Sequence, residues 1–337
     1  MGKKHVLVIG PDGIPSFTIG ILQPLSYLKS RGVCRFTVKS DHEVTDETLA
    51  AADFVVFFRT TRAEAYRHLE TANNLGKRTI YVIDDHFLAM PVTTDTGRIM
   101  QNPELRNVCV KFLKNASIVK VASEFFARHL QVHFAPKSVV CFPGSVDFSI
   151  LERVERRESD GPVVIGYAGG RKEAAFAPVI RALRKIKDKY GDGVRFEFYG
   201  FEPPGANRLP GVRHHKYIAD YRKFLRELYR AGWDIGLAPL ESALYHDCKT
   251  NNKYREYAAC RIPGVYSDSP AYRDWVKPGQ TGLLVDNTVD GWFEGIARLV
   301  EDAALRERIR EQAEREAREQ FSVETCAKRW QELLLHD

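Results

Sequence analysis

Residues 249–267 read KTNNKYREYAACRIPGVYS, a polar segment with helical spacing that is followed directly by a short apolar strand. Lys249, Lys253 and Glu256 are spaced so that their side chains can share one face of the helix. The start of a helix with added positive charge favours a bound phosphate, and a glutamate one turn later can accept hydrogen bonds from hydroxyl groups. We therefore expect a nucleotide–sugar site here, although a simple Lys253–Glu256 ion pair would give the same pattern.

The composition indicates a water-soluble protein of two domains. The chain has 337 residues, of which 44% are hydrophobic and 28% charged, with a net charge of +6. The basic residues are scattered, which argues against nucleic acid as a partner and fits an anionic substrate or a solvated surface. The six cysteines form no CxxC pair, which predicts reduced thiols rather than a zinc site or disulfides. Without a signal peptide or a membrane-spanning apolar run, we expect a cytoplasmic protein whose contact with the inner membrane face is peripheral.

Short apolar runs alternate with helical patterns along the whole chain. The predicted strands cover residues 6–9, 34–38, 54–58, 79–83, 117–121, 138–142, 163–167, 195–199, 235–238, 264–267 and 283–285. A charged segment at 151–162 is typical of a linker, and helical patterns at 290–319 and 323–335 end the chain. This alternation predicts the α/β class, with two Rossmann-like domains that each contain a parallel, doubly wound sheet.

Candidate site residues follow the predicted strands of the first half, where doubly wound sheets bind their ligands. Gly10 and Gly13 follow the first strand and would let the backbone approach a ligand, but the GxGxxG fingerprint is missing and a plain turn is equally consistent. Asp84, Asp85 and His86 follow the fourth strand. They could bind hydroxyl groups, act as an acid or base, hold a metal, or simply cap a turn. We expect no metal, because no further ligands converge in the sequence.

The second half offers two glycine-bearing loops and the segment quoted above. Gly169-Gly170-Arg171-Lys172 suits a diphosphate, because glycines permit close approach and cations neutralise its charge, but a basic surface turn is the alternative. The loop at residues 278–282 could lie against a ligand or form a tight turn. Thr250 or Asn251 is the expected N-cap of the helix that follows.

Four segments resemble those of a known family: FPGSVD at 142–147, VIGYAG at 164–169, NKYREYAACRIPGVYS at 252–267 and GQTGLLV at 279–285. They are similar to motifs of the retaining GT-B glycosyltransferases of family four, also called glycosyl transferases group 1. The resemblance implies the GT-B fold, with an N-terminal acceptor domain at 1–150 and a nucleotide-sugar domain at 160–320. A C-terminal helix at 321–337 would cross back to pack on the N-terminal domain.

The resemblance also implies an activity. Such enzymes bind a nucleotide-diphosphate sugar in the inter-domain cleft and transfer the sugar, with retention, to a glycan or lipid-linked acceptor in polysaccharide biosynthesis. They use no cofactor and no metal. The remaining alternatives are a GT-B enzyme of another type, such as a nucleotide-sugar epimerase, and a non-catalytic module that binds a nucleotide or sugar.

By position, the resemblance gives Glu256 the ribose hydroxyls, and gives Arg171 and Lys253 the departing diphosphate, with Lys172 as a substitute. Many relatives carry a second glutamate eight positions before Glu256, where this chain has Cys248, so another residue must contact the sugar. The predicted catalytic residues are Arg171, Lys253, Asp85 and His86. Asp84 is the predicted acceptor contact. The predicted donor contacts are Gly13, Gly169, Gly170, Lys172, Asp247, Lys249, Asn251, Asn252, Glu256, Thr281 and Gly282.

Overall fold

The computed structural model describes residues 3–11, 13–157 and 161–335, so that residues 158–160 of the predicted linker lie outside the described part. The chain divides into two compact units. The first comprises Met1–Ser145, Asp247–Thr250 and Phe321–Asp337, and the second comprises Val146–His246 and Asn251–Gln320.

Each unit contains one six-stranded sheet in which all strand pairs are parallel. The strands of the first unit are β1 (Lys4–Ile9), β2 (Cys34–Lys39), β3 (Phe54–Phe58), β4 (Arg78–Val82), β5 (Ile118–Val121) and β6 (Val139–Cys141). Those of the second are β7 (Val163–Gly169), β8 (Val194–Gly200), β9 (Val212–His215), β10 (Ile235–Ala238), β11 (Gly264–Ser267) and β12 (Leu283–Val285). The strand orders are β2-β1-β3-β4-β5-β6 and β12-β11-β10-β7-β8-β9. The predicted α/β class with two doubly wound parallel sheets is thus confirmed.

Helices connect the strands and cover the faces of both sheets. Up to β7 they are α1 (Pro15–Phe17), α2 (Gln23–Ser30), α3 (Asp46–Ala50), α4 (Ala63–Asn74), α5 (Asp95–Ile99), α6 (Pro103–Asn115) and α7 (Glu124–Phe134), with a π-helical turn at Thr18–Leu22. The others are α8 (Glu173–Tyr190), α9 (Tyr221–Ala231), α10 (Leu244–Asp247), α11 (Asn252–Ala259), α12 (Pro270–Arg273), α13 (Val289–Glu301), α14 (Ala303–Phe321) and α15 (Val323–Leu335).

Strands that are buried on both faces explain the continuous apolar runs of the sequence. All five residues of β3 and all four of β10 are buried, because helices cover both sides of each sheet. The last helix, α15, belongs to the core of the first unit, as predicted. There Trp330 is fully buried, and its indole Nε1 donates a hydrogen bond to the carbonyl oxygen of Gly20 at 2.9 Å.

Two features of the second unit differ from the prediction. The sequence pattern missed β9, an edge strand of sequence VRHH whose residues are only partly buried or exposed, so that no apolar run marks it. The helical pattern predicted at 290–319 is interrupted at Asp302, which ends α13 in an extended conformation with φ −109° and ψ 90°. The Asp302 carboxylate then accepts a hydrogen bond from the backbone N–H of Leu305 at 2.8 Å, which starts α14.

Candidate functional site

Lys253 of α11 lies against the glycine turn at the carboxyl end of β7. A Cβ atom at Gly169 would stand 3.3 Å from Cε of Lys253 and 2.8 Å from the hydroxyl of Tyr167. The backbone φ of +156° at Gly169 is also rare for other residues. The Tyr167 hydroxyl donates a hydrogen bond to the carbonyl of Gly170 at 2.8 Å, which holds the turn. The fold therefore brings the predicted glycine turn and the predicted lysine together.

The ammonium of Lys253 pairs with the Glu256 carboxylate at 2.5 Å. Their side chains are 15% and 9% exposed, so both charges are largely withdrawn from solvent. Burial raises the pKa of the Tyr167 and Tyr272 hydroxyls, and the negative charge of Glu256 adds to this shift. The ion pair that the sequence left open is thus formed, and it places one anion and one cation beside the glycine turn.

The two cations of the glycine turn lie in different environments. The Arg171 guanidinium is 80% exposed and pairs with the Glu173 carboxylate, with Nε to Oε1 at 2.7 Å. The Lys172 ammonium instead donates a hydrogen bond at 3.2 Å to the carbonyl of Pro239, which follows β10. Lys172 is therefore the cation of this turn that reaches a neighbouring strand end.

The asparagines at the start of α11 hold a buried arginine. Asn251 occupies the N-cap position, as predicted, but no hydrogen bond from its side chain to the helix start is found among the described residues. Its carboxamide oxygen accepts a hydrogen bond from Nε of Arg255 at 3.0 Å, and the oxygen of Asn252 accepts one from Nη2. Arg255 is only 2% exposed. Asn251 is therefore the N-cap by position, while its carboxamide oxygen and that of Asn252 bind the buried guanidinium.

Thr281 and Gly282 hold the turn that precedes β12. The Thr281 hydroxyl donates to the carbonyl of Trp275 at 3.2 Å and accepts from the backbone N–H of Lys277 at 2.9 Å. A Cβ atom at Gly282 would stand 2.8 Å from the ring of Tyr266. Of the two possibilities that the sequence left for this loop, the structure favours the tight turn over a donor contact.

In the first unit, two basic residues enclose the predicted carboxylates. Arg59 follows β3, and its guanidinium lies between Asp84 and Asp85, with Nη1 and Nη2 each 3.2 Å from a carboxylate oxygen. The ammonium of Lys249 donates to Oδ1 of Asp85 at 3.0 Å. All four side chains are between 16% and 24% exposed. The fold thus brings three of the predicted residues together with one residue, Arg59, that the prediction omitted.

The two adjacent carboxylates of this cluster have opposite pKa shifts. Burial raises the pKa of Asp84, and the charge of Asp85 adds to the increase, although Arg59 opposes it. At Asp85, burial would also raise the pKa, but the charges of Lys249 and Arg59 outweigh it, so that the pKa is lowered. Lys249 and Arg59 therefore stabilise the charged form of Asp85, the carboxylate that pairs with the lysine.

His86 packs away from this cluster, against helix α7. It is 3% exposed, its Nε2 lies 3.1 Å from Nε2 of His129, and its ring centroid is 5.1 Å from that of Phe126. Burial, followed by the charges of His129, Arg106 and His133, lowers the pKa of His86 to about 4. The imidazole is therefore enclosed and contacts packing residues, and the catalytic role of His86 stays a prediction.

Gly13 and Asp247 are two further predicted donor contacts, and Cys248 stands where many relatives carry a glutamate. Gly13 has a φ of +78° and open space around its Cβ position, whereas a Cβ at Gly10 would stand 2.6 Å from the Phe58 carbonyl oxygen. Cys248 is fully buried, and burial, with the nearby Asp247 carboxylate, raises its pKa to about 12. Cys248 is therefore a buried neutral thiol, and Asp247 beside it is partly exposed.

A cation directly after an apolar strand could have identified Arg59, since FVVFFRT at 54–60 obeys the same strand-end rule that selected Asp84. In the described part of the chain, no group of three or more His, Cys, Asp or Glu side chains is arranged to hold a metal ion. Among the helices described, none is both long enough and apolar enough to cross a membrane.

Comparison with known proteins gives a family match for part of the chain and a fold match for nearly all of it. Residues 162–302 match the family model described as glycosyl transferases group 1. The sequence matches no curated protein at a significant level. Similar solved structures, by contrast, are numerous and extend over nearly the whole chain.

Three of these structures illustrate the similarity. HepE of Anabaena, in complex with UDP and glucose, is 14% identical with a TM-score of 0.69, covering 98% of this chain and 99% of that chain. A glycosyltransferase from Rickettsia africae is 14% identical with a TM-score of 0.71, covering 99% and 98%. Sucrose-phosphate synthase from Thermosynechococcus elongatus is 14% identical with a TM-score of 0.68, covering 98% of each chain. The predicted resemblance is therefore confirmed: the chain has the GT-B fold, and its residues 162–302 match the glycosyl transferases group 1.

Proposed function

We propose that the protein is a retaining glycosyltransferase that moves a sugar from a nucleotide-diphosphate sugar to a glycan or lipid-linked acceptor. The observation that carries the proposal is the Lys253–Glu256 pair beside Gly169, at the carboxyl end of β7. This edge of a doubly wound sheet is where such folds bind ligands, and the cation and the carboxylate suit the two polar parts of a nucleotide. The solved structure of HepE contains UDP and glucose, which supports the same class of donor.

In the proposed reaction, the bond between the anomeric carbon and the diphosphate oxygen breaks as the acceptor oxygen bonds to the same face of the sugar. The proton of the acceptor hydroxyl passes to the departing phosphate. The main task of the protein is then to stabilise negative charge on the diphosphate and to orient the acceptor. The proposal includes no metal or cofactor, because side-chain cations supply the positive charge.

Lys253 is suited to this task because its ammonium is held at the strand end by an exchangeable partner. On donor binding, we propose that Lys253 turns from Glu256 to the diphosphate, while Glu256 accepts hydrogen bonds from the ribose hydroxyls. Arg171 is exposed and pairs with the exposed Glu173, so we propose that its guanidinium reorients toward the same phosphates. Lys172, which contacts Pro239, is the second cation available from this turn.

The place of action is a further part of the proposal. A lipid-linked or growing glycan acceptor fits a cytoplasmic enzyme of polysaccharide biosynthesis that meets the inner membrane face peripherally. The position of the donor between the two domains, the contacts of Asp247, Asn251 and Asn252 with it, and the boundaries at residues 150, 160 and 320 stay predictions.

Thermal unfolding with nucleoside diphosphates tests the binding part. We expect UDP, GDP or ADP to raise the Tm of the wild type. The same nucleotide should not raise the Tm of Glu256→Ala. Glu324→Ala is the matched control, because Glu324 forms an exposed helical pair with Lys328 at 3.0 Å. If none of the nucleoside diphosphates stabilises the wild type, the proposal is wrong.

Product analysis then separates the alternatives. A screen of nucleotide-sugars without acceptor should release free sugar and nucleoside diphosphate for one donor. An epimerised nucleotide-sugar would identify an epimerase instead. Tight nucleotide binding without any turnover, even with added glycan acceptors, would identify a binding module.

A further inference from the structure

Arg59 has a backbone conformation that aims its side chain at the acidic pair of the first unit. Its φ is +51°, in the left-handed region that residues other than glycine rarely adopt. The Arg59 backbone N–H donates to the carbonyl of Val82 at 3.0 Å, which holds it beside the end of β4. Unfavourable backbone geometry persists where the surrounding structure fixes it, and it concentrates at functional sites.

The guanidinium of Arg59 is fixed from several sides. Nη1 donates to Oγ of Ser16 at 3.2 Å, and the two outer nitrogens each contact one of the adjacent carboxylates. The guanidinium carbon lies 5.1 Å from the centroid of the Phe87 ring. A planar fork held by two carboxylates, a hydroxyl and an aromatic ring has little freedom to rotate.

Arg59 is connected to Lys249 through Asp85. The guanidinium contacts Oδ2 of Asp85, whereas the Lys249 ammonium is bound by Oδ1, so each oxygen of one carboxylate has its own cation. If Arg59 were removed, the adjacent Asp84 and Asp85 carboxylates would both compete for the ammonium of Lys249. The flexible lysine side chain would then lose its defined position beside Oδ1 of Asp85.

We propose that Arg59 is a positioning residue that acts through Asp85 to fix the ammonium of Lys249 for contact with the anionic donor. This inference rests on the proposed function, because it takes Lys249 as a donor contact. Arg59 itself needs no contact with substrate. Its contribution is to keep Asp85 in the one orientation in which the second oxygen is available to the lysine.

A double-mutant cycle tests the connection. Arg59→Gln and Lys249→Ala should each lower kcat/KM for donor hydrolysis by about 10-fold, and the double variant should lose no more than either single variant. Arg59→Lys should restore part of the loss, because it returns a cation to Asp85. The matched control is Arg62→Gln, since Arg62 follows the same strand but is 65% exposed and pairs elsewhere.

The outcomes distinguish the inference from a structural role and from failure of the proposed function. If the losses of the single variants multiply to about 100-fold in the double variant, or if Arg59→Gln lowers only the Tm, the inference is overturned. Asp85→Asn provides the same test if Arg59→Gln does not fold, because it keeps the side-chain shape and removes the charge between the two cations. Failure of the proposed function differs, since wild-type protein would then bind no nucleoside diphosphate.

Discussion

The carboxyl edges of the two sheets are built in different ways. In the second unit, one glycine turn and one helix supply Gly169, Lys253 and Glu256, and the charged partners are three residues apart. In the first unit, Arg59, Asp85 and Lys249 come from three separate segments that only the fold brings together. A charged pair within one helix can be recognised in the sequence, whereas a cluster built from three converging segments depends on topology.

The largest effect should come from the Lys253–Glu256 pair at the edge of the second sheet. Lys253→Gln should lower turnover by about 100-fold to 1,000-fold, because an electrostatic donor to the departing charge contributes about 3–4 kcal/mol to the transition state. The glutamine amide can still donate a hydrogen bond to Glu256, so the cost in stability should be smaller. Steady-state kinetics of donor hydrolysis and the Tm of the same preparation measure both effects.

Lys328→Gln is the control for this change, because Lys328 also forms an ion pair within one helix, with Glu324, but that pair is exposed. Wild-type turnover in Lys253→Gln would show that the pair beside Gly169 stabilises the fold only. The comparison between the two edges would then lose its functional meaning.

The next effect is a pH dependence of stability in the first unit. It comes from the buried His86 and not from the charged cluster of Arg59, Asp84, Asp85 and Lys249. The pKa of His86 falls from its ordinary value to about 4, so the unfolded chain binds this proton more readily than the folded chain. The stability that neutral His86 contributes is present above pH 6.5 and is lost as the pH falls toward 4. The loss amounts to about 3 kcal/mol for this shift.

Thermal unfolding between pH 7 and pH 4 measures this loss. His86→Gln should flatten the decrease in Tm, whereas His42→Gln should not, because the His42 side chain is 71% exposed. His129, whose pKa is lowered by burial, remains in both variants and keeps its share of the pH dependence. An unchanged pH profile in His86→Gln would contradict the packing role.

A smaller effect tests the turn before β12. Thr281→Val removes a hydroxyl that makes two hydrogen bonds within this turn, which should cost about 1–3 kcal/mol of stability. The KM for the donor should not change, because the hydroxyl is occupied by Trp275 and Lys277. A higher donor KM with an unaltered Tm in Thr281→Val would show that Thr281 contacts the donor.

The smallest effect tests how closely the donor approaches the glycine turn. A Cβ atom at Gly170 would meet nothing within 4 Å, so Gly170→Ala should leave the Tm unchanged. If the diphosphate lies against this turn, the added methyl group should raise the donor KM by up to about 10-fold, which corresponds to about 1.4 kcal/mol. Gly161→Ala, which also meets nothing within 4 Å, is the control, and equal KM values would place the donor elsewhere.

The sequence allowed most of the fold to be predicted, because buried parallel strands are continuous apolar runs. It did not reveal β9, whose histidines and arginine carry no apolar signal at the sheet edge. At the site, Lys253 and Glu256 could be predicted from helical spacing. The burial of His86 and the role of Arg59 could not, since each depends on contacts between residues far apart in the chain.

The position of α15 has a consequence for the order in which the chain folds. Trp330 and its neighbours complete a core whose other members, such as Val6 and Phe17, are synthesised first. A nascent chain that already holds all six strands of the first sheet therefore still exposes the apolar face of α2 and its neighbours until the last helix emerges. The first unit thus begins to be synthesised first but completes its core last. A fragment that ends before residue 323 should depend on chaperones or aggregate.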